Sequence, residues 1–169
     1  MANNVLVVAE QRDGVLKKVA FEMVGAGAEL AAALGGQVEA ALLGSGLGDL
    51  ANALAQHGAA KVYVADDEGL AAYSSEGYTD TLADLVGKTE PAVILIGATA
   101  MGKDLGPRLA ARLGVGLASD CTDLEIDGGR LLATRPIFAG KALAKVKLIG
   151  DPQMATVRPN VLPAPEPDA

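Results

Sequence analysis

Apolar and polar positions follow two patterns along the chain, and the patterns alternate. Largely apolar runs occur at Val5–Ala9, Val38–Leu43, Lys61–Ala65 and Ala92–Ile96. A strand covered on both faces is apolar throughout, as Ala92–Ile96 is, and the four runs together predict strands of a parallel sheet. The longer segments between them carry apolar residues every three or four positions, as amphipathic helices do. The order predicts a βαβαβαβα arrangement with right-handed crossovers.

One strand–loop–helix unit stands out because its boundaries are marked at both ends. The run Ala92–Ile96 leads into a helix whose apolar stripe repeats every four residues, at Leu105, Leu109 and Leu113. Proline lacks a backbone N–H, so we expect Pro107 to lie near the start of this helix. Ligands of open α/β sheets bind at the carboxyl ends of the strands, so the loop after Ile96 is the first place to look for a site.

The pattern changes in the last third of the chain. Thr122–Ile126 and Arg130–Thr134 flank an Asp-Gly-Gly turn, and Ala142–Leu148 alternates between its two faces. Alternation of this kind predicts antiparallel strands, to which Met154–Val157 adds one more. The fold class predicted is therefore α/β, a three-layer, mostly parallel sheet flanked by helices, with an antiparallel extension in the carboxyl-terminal third.

The chain divides by composition into a domain at 1–157 and a proline-rich tail at 158–169. The tail combines prolines with acidic residues, and we expect a linker or an extended arm with nothing to bury. The domain before it is long enough for a single core, built mainly from Ala, Val, Leu and Ile because only 3% of the residues are aromatic.

Charge and residue counts exclude several classes of function. The net charge is −7 and Lys and Arg do not cluster, so a nucleic-acid partner is not expected. No apolar run is long enough to span a bilayer, and the start has no basic region before an apolar segment, so we expect a cytoplasmic protein. Cys121 and His57 are single, which excludes an internal disulfide, a thiolate cluster and a histidine-based metal site.

The loop after Ile96 has the spacing G-x-x-x-x-G-K. Its candidate residues for a weak anion or nucleotide site, for which AMP is one candidate ligand, are Gly97, Thr99, Gly102, Lys103 and Asp104. A phosphate-binding loop needs Ser or Thr after the lysine to hold magnesium, and Asp104 would repel the phosphates instead. A glycine turn that opens a helix is therefore the favoured interpretation.

Three other features have structural interpretations. The glycine loop at 44–48 lacks the spacing of a dinucleotide-binding loop and predicts a plain turn between strand and helix. His57 precedes a glycine at the end of a helix and Ser74 precedes another helix, so both are predicted to be helix caps. No nucleophile–base pair is visible, and no catalytic residue is predicted.

Two sequence blocks in combination resemble a known family. They are Ile96–Gly114 and Arg135–Ala142, and a third, Thr156–Pro159, follows in the expected order. Together they are similar to the amino-terminal domain of the electron transfer flavoprotein alpha subunit. The family often has Tyr at the position of Phe138 and Asn at that of Lys141, and neither difference threatens the fold.

The resemblance implies a non-catalytic scaffold that packs against a beta subunit. In the family, FAD is bound mostly by a second, carboxyl-terminal domain, so FAD is expected in the complete heterodimer and not tightly bound to this chain. Acyl-CoA or other dehydrogenases and a quinone oxidoreductase are the expected redox partners. The resemblance makes five residues candidates for the partner interface, namely Asp120, Arg135, Phe138, Gly140 and Lys141. The alternative hypothesis is a free-standing module that binds AMP or ATP.

Overall fold

The computed structural model describes residues 3–167. The elements, in chain order, are β1 (Val5–Ala9), β2 (Gln11–Arg12), β3 (Val15–Leu16), α1 (Lys18–Leu34), β4 (Val38–Gly44), α2 (Leu50–Gln56), β5 (Lys61–Asp66), α3 (Ser75–Thr89), β6 (Val93–Gly97), α4 (Ala100–Leu113), β7 (Leu117–Cys121), β8 (Asp123–Asp127), β9 (Arg130–Ile137), β10 (Ala142–Lys147) and β11 (Gln153–Val157).

A parallel sheet of six strands forms the centre of the fold. Its order is β5-β4-β1-β6-β11-β7, and every neighbouring pair is parallel. A second, antiparallel sheet has the order β10-β9-β8, and β2 and β3 form a small hairpin. The predicted fold class, a mostly parallel sheet with an antiparallel extension, is confirmed.

The three layers follow from the alternation of side chains along each strand. In β1, Val5 and Val7 belong to the apolar cluster that contains α1, α2 and the inner face of the antiparallel sheet. Leu6 and Val8 belong to the opposite cluster, which contains α3 and α4. All four side chains are at most 3% exposed. Such a strand must be apolar on both faces, which is the pattern seen in the sequence.

The last third of the chain contributes more to the parallel sheet than predicted. Met154–Val157 lies in β11, which pairs in parallel with both β6 and β7 and so does not extend the antiparallel sheet. Strand β7 was not predicted, because its sequence Leu-Ala-Ser-Asp-Cys is only partly apolar. The polar residues in β7 lie near an edge of the sheet, where one side of the strand is unpaired.

The prediction for Pro107 is wrong. Helix α4 begins at Ala100, so Pro107 lies inside it and not in its first turn. Proline at this position removes the hydrogen bond to the carbonyl of Lys103. Both Lys103 and Pro107 are exposed, so this side of the helix faces solvent, while Leu105 and Leu109 on the other side are fully buried. Packing of the apolar face offsets the lost bond.

The proline-rich tail packs against α1 over part of its length. Leu162 contacts the apolar cluster of α1, and the backbone N–H of Asn160 donates to the buried carboxylate of Glu22 at 2.9 Å. A Cβ added at Gly25 would lie 2.9 Å from Cδ of Pro165, so the absence of a side chain there lets the tail approach. The expectation that the tail buries nothing is therefore wrong, while its role as a linker stays a prediction.

Candidate functional site

The loop between β6 and α4 is held by internal hydrogen bonds. Thr99 is the N-cap of α4, and its hydroxyl accepts the N–H of Gly102 at 3.1 Å. The same hydroxyl donates to the carboxylate of Glu10 at 2.6 Å. A carboxylate therefore already lies at the amino terminus of this helix, where a bound anion would otherwise be favoured.

Close packing accounts for two glycines of this loop. A Cβ on Gly97 would lie 2.5 Å from Cγ2 of Val19 in α1. A Cβ on Gly102 would lie only 1.7 Å from the carbonyl oxygen of Gly97, well inside contact distance. The two glycines let the first turn of α4 lie directly against the end of β6. Their spacing is explained without a bound phosphate.

Lys103 and Asp104 are exposed and point to different neighbours. The carboxylate of Asp104 accepts hydrogen bonds from the hydroxyl of Tyr73 and, at 3.3 Å, from Arg108. The bond from Tyr73 is the main reason that the pKa of Asp104 lies below its usual value. Lys103 lies beside a small cleft of about 180 Å³ that also contains Asp120. Asp104 thus belongs to a surface contact between α4 and the segment that precedes α3.

The crevice at the carboxyl end of β4 is filled by the β2–β3 hairpin. Nε2 of Gln11 donates to the carbonyl of Leu43 at 3.1 Å and occupies the space where a Cβ of Gly44 would lie. In the following loop, the N–H groups of Gly46 and Leu47 donate to the carboxylate of Asp66 at 2.8 and 3.0 Å. The glycine loop is a turn tied to the next strand, as predicted, and its donors are occupied.

Four of the five predicted partner residues line the same cleft, to which the fold brings Asp120 from outside the segment 135–141. Asp120, Arg135, Phe138 and Gly140 all line one open cleft of about 480 Å³. Lys141 does not line this cleft, but it follows Gly140 directly and is exposed. We call this feature the β7–β9 cleft. Its role as an interface stays a prediction.

Arg158 also lines the β7–β9 cleft and was not among the predicted site residues. Its guanidinium binds the carboxylate of Asp120 through two hydrogen bonds, of 2.6 and 3.2 Å. This pairing is the main cause that lowers the pKa of Asp120, and it raises that of Arg158. The sequence signal was its position directly after the apolar run of β11, since a polar residue there reaches the carboxyl edge of the sheet.

Phe138 is held outward in a strained backbone conformation. Its side chain is 76% exposed, and its φ is +50°. Ala139 and Gly140 also have positive φ, of +53° and +84°. Only glycine adopts this region without steric cost, so the conformation of Phe138 and Ala139 is unfavourable by itself. Core packing does not explain Phe138, whereas turn geometry does contribute to the presence of Gly140.

Arg135, which lines the same cleft, also has a buried donor without a partner among the described residues. Its Nε is buried and has no hydrogen-bond partner within residues 3–167. Its charge nevertheless acts on its neighbours, because it helps to lower the pKa of Asp120 and opposes the rise that burial causes in the pKa of Cys121. Buried polar groups are usually paired, so this donor requires an explanation.

The remaining candidates have the structural roles predicted for them. Nδ1 of His57 lies 2.6 Å from the carbonyl of Ala53 at the end of α2, and Ser74 accepts the N–H of Gly77 at the start of α3. Cys121 is fully buried, and burial raises its pKa to about 11. Over the described part of the chain, His, Cys, Asp and Glu form no group that could hold a metal ion. Nor does any helix within 3–167 have the length and apolar character needed to cross a membrane.

Comparison with known proteins gives consistent matches over nearly the whole chain. A family model described as "Electron transfer flavoprotein domain" matches residues 5–169. The chain is 50% identical over 160 residues to the electron transfer flavoprotein subunit alpha of Clostridium acetobutylicum, covering 93% of this chain and 48% of that protein. Identity is 48% to Protein FixB of Clostridium saccharobutylicum, with the same coverage of 93% and 48%. It is 41% to the electron transfer flavoprotein subunit alpha of Bacillus subtilis, covering 99% and 51%.

The chain spans about half the length of the curated relatives it matches. The match includes all the elements of the parallel sheet, since it begins at residue 5 and runs through β11. The sequence blocks that suggested the family agree with the matches to known proteins, and this chain belongs to the electron transfer flavoprotein family.

Proposed function

We propose that this chain is the scaffold part of a cytoplasmic electron transfer flavoprotein alpha subunit. In this role it packs against a beta subunit and supports electron transfer through an FAD held by the complete complex. The family match and the relatives named as alpha subunits support this proposal. Dehydrogenases, such as those acting on acyl-CoA, would donate the electrons, and a quinone oxidoreductase would receive them.

The observation that carries the proposal is the outward, strained Phe138 beside the β7–β9 cleft. An aromatic side chain that is 76% exposed gains little from packing within this chain. Its positive φ costs about 1 kcal/mol or more, so the isolated chain has no energetic reason to keep it. Aromatic residues and arginine are enriched at protein interfaces, and the cleft combines Phe138 with Arg135 and Arg158.

The two glycine-containing loops, after β6 and after β4, do not fit a flavin or nucleotide phosphate. At the amino terminus of α4, the Gly102 N–H is used by Thr99, and the carboxylate of Glu10 would repel a phosphate. At the β4 loop, Asp66 accepts the N–H groups that a phosphate would need. We therefore assign FAD to the part of the complex outside these residues and derive no redox step within this chain. The same contacts argue against the alternative hypothesis, in which the chain is a free-standing module that binds AMP or ATP.

The test combines partner binding with identification of any bound small molecule. The purified chain is titrated with its cognate beta subunit by calorimetry, and a denatured sample is analysed by mass spectrometry. We expect binding and no stoichiometric FAD, AMP or ATP. Released FAD or nucleotide would contradict the assignment of the cofactor, and failure of the chain to bind the beta subunit would contradict the scaffold role.

A matched pair of variants tests whether Phe138 forms part of the contact. Phe138→Ser is compared with Val64→Ser, since Val64 is a 49% exposed apolar residue on β5 at the opposite edge of the sheet. Exposed aromatic anchors often dominate binding, so Phe138→Ser is expected to weaken binding by at least about tenfold. Val64→Ser is expected to leave it unchanged. Equal affinities for the two variants would exclude Phe138 from the interface.

A further inference from the structure

We propose that the β7–β9 cleft receives a carboxylate side chain of the beta subunit, which pairs with the guanidinium of Arg135. Phe138 would pack against the partner at the mouth of the cleft. The inference rests on the proposed function for the identity of the partner. The geometry around Arg135 is the reason for proposing that an acidic side chain enters this cleft.

Arg135 lies on β9 opposite Ala144 of β10, at the end of the antiparallel sheet nearest the cleft. Its Nε is buried without a partner, and Arg135 takes part in none of the ion pairs within residues 3–167. Guanidinium groups cannot deprotonate at ordinary pH, so burial cannot be relieved by loss of the charge. The donor is thus desolvated and unsatisfied in the free chain.

The nearby carboxylate of Asp120 is already paired with another arginine, Arg158. Asp120 accepts two hydrogen bonds from Arg158, one to each carboxylate oxygen. Its own backbone N–H donates to Oγ1 of Thr156 at 2.9 Å, and its φ is +57°. Asp120 is therefore fixed against β11. The charges of Asp120 and Arg158 compensate each other, which leaves that of Arg135 unbalanced.

The surrounding charge favours an acidic occupant. The chain as a whole carries −7, yet Lys103 lies close enough to the cleft to lower the pKa of Asp120, and the exposed Lys141 follows Gly140. Local positive charge in an otherwise acidic protein attracts a carboxylate and orients its approach. Arginine binds carboxylates through parallel N–H donors in a fixed plane, so the guanidinium of Arg135, which lines the cleft, is suited to this ligand.

The space and the apolar rim fit a protein side chain. The cleft has about 480 Å³, which is ample for an Asp or Glu side chain and its immediate neighbours. Beside it, Phe138 and Leu143 are 76% and 67% exposed, and Leu143 pairs with Pro136 of the cleft wall. A desolvated charge pair bordered by apolar groups that exclude water is the arrangement found at the centre of strong interfaces.

The experiment measures the affinity of the whole chain for its cognate beta subunit by calorimetry. The variants are Arg135→Lys, Arg135→Gln and a control, Arg112→Gln, which removes a surface arginine of α4 that pairs with Asp80 away from the cleft. Both changes at Arg135 should weaken binding at least about tenfold, because glutamine removes the charge and lysine keeps it but lacks the planar guanidinium donors. Arg112→Gln should bind as the unchanged chain does.

A direct spectroscopic measurement does not depend on how well the variants fold. The Arg135 Nε–H resonance of the unchanged, ¹⁵N-labelled chain is recorded with and without the beta subunit. We expect a downfield shift in the complex, as a hydrogen bond to a carboxylate forms. The same shift produced by inorganic phosphate at millimolar concentration would indicate a small-anion site instead and would overturn the proposal.

The outcomes separate this inference from the function on which it rests. If the unchanged chain fails to bind the beta subunit, the scaffold role itself is wrong. If it binds, but both Arg135 variants bind equally well and the Nε–H resonance does not move, the scaffold role stands and the carboxylate contact is refuted. Loss of affinity in the Arg112→Gln control as well would show a general electrostatic effect and would also refute it.

Discussion

Replacing Gly102 by alanine should destabilise the protein, although alanine is the better helix former. Gly102 lies in the first turn of α4, and a Cβ built there would lie 1.7 Å from the carbonyl oxygen of Gly97. Contacts of this kind are normally no closer than about 3 Å. The start of α4 would have to move away from β6 by more than about 1 Å, because the obstacle is backbone and cannot rotate aside.

The size of the effect follows from the contacts that this movement disturbs. Forcing an extra methyl group into a packed site costs about 1–3 kcal/mol. Disturbing the Thr99 cap and its bond to Glu10 adds about 1 kcal/mol. The higher helix propensity of alanine offsets about 1 kcal/mol of this loss in stability. The expected net loss in the free energy of unfolding is therefore about 1–3 kcal/mol.

Gly87→Ala is the matched control. Gly87 lies in α3, is exposed, and has no atom within 4 Å of the position where a Cβ would be. Alanine there should stabilise the protein by about 0.5–1 kcal/mol. Urea unfolding followed by circular dichroism gives both values. A Gly102→Ala variant as stable as the unchanged protein would refute the packing argument and would reopen a ligand-based reason for this glycine.

Three further predictions concern the tail, the ion pair and the thiol. Gly25→Val should displace the tail from α1, since Cδ of Pro165 lies 2.9 Å from the added Cβ. Thermolysin should then cleave the tail faster, and an unchanged rate of cleavage would argue against packing of the tail on α1. Arg158 holds the pKa of Asp120 below its usual value, so this stabilisation is present above about pH 4 and is lost as pH falls through the folded pKa. The difference in unfolding free energy between the unchanged protein and Asp120→Asn should therefore shrink on acidification, and a constant difference in urea titrations would refute the pairing. Burial raises the pKa of Cys121 to about 11, so iodoacetamide at pH 8 should label it only after unfolding, and rapid labelling of the native protein would show that the thiol is accessible.

The parallel core and the ends of several helices can be predicted from local sequence patterns. A strand buried on both faces must be apolar throughout, and β1, β4 and β6 satisfy that condition within a few residues. The caps at His57 and Ser74 were also predictable, because a cap is satisfied by backbone groups within one turn of the same residue. Local signals of this kind need no knowledge of distant segments.

Which distant residues come into contact depends on the tertiary structure and could not be predicted from the sequence. Strand β11 lies between β6 and β7, far from its neighbours in sequence, so its short apolar run could not reveal its partners. The pairing of Asp120 with Arg158 and the unsatisfied Nε of Arg135 arise from the same arrangement, since β7, β9 and β11 come together there. Pro107 is tolerated inside α4 because the opposite face of that helix is buried against the sheet. Glycine is needed at position 25 because the tail packs there. The periodicity of apolar residues predicts which side chains are buried. Long-range packing determines which other residues cover them.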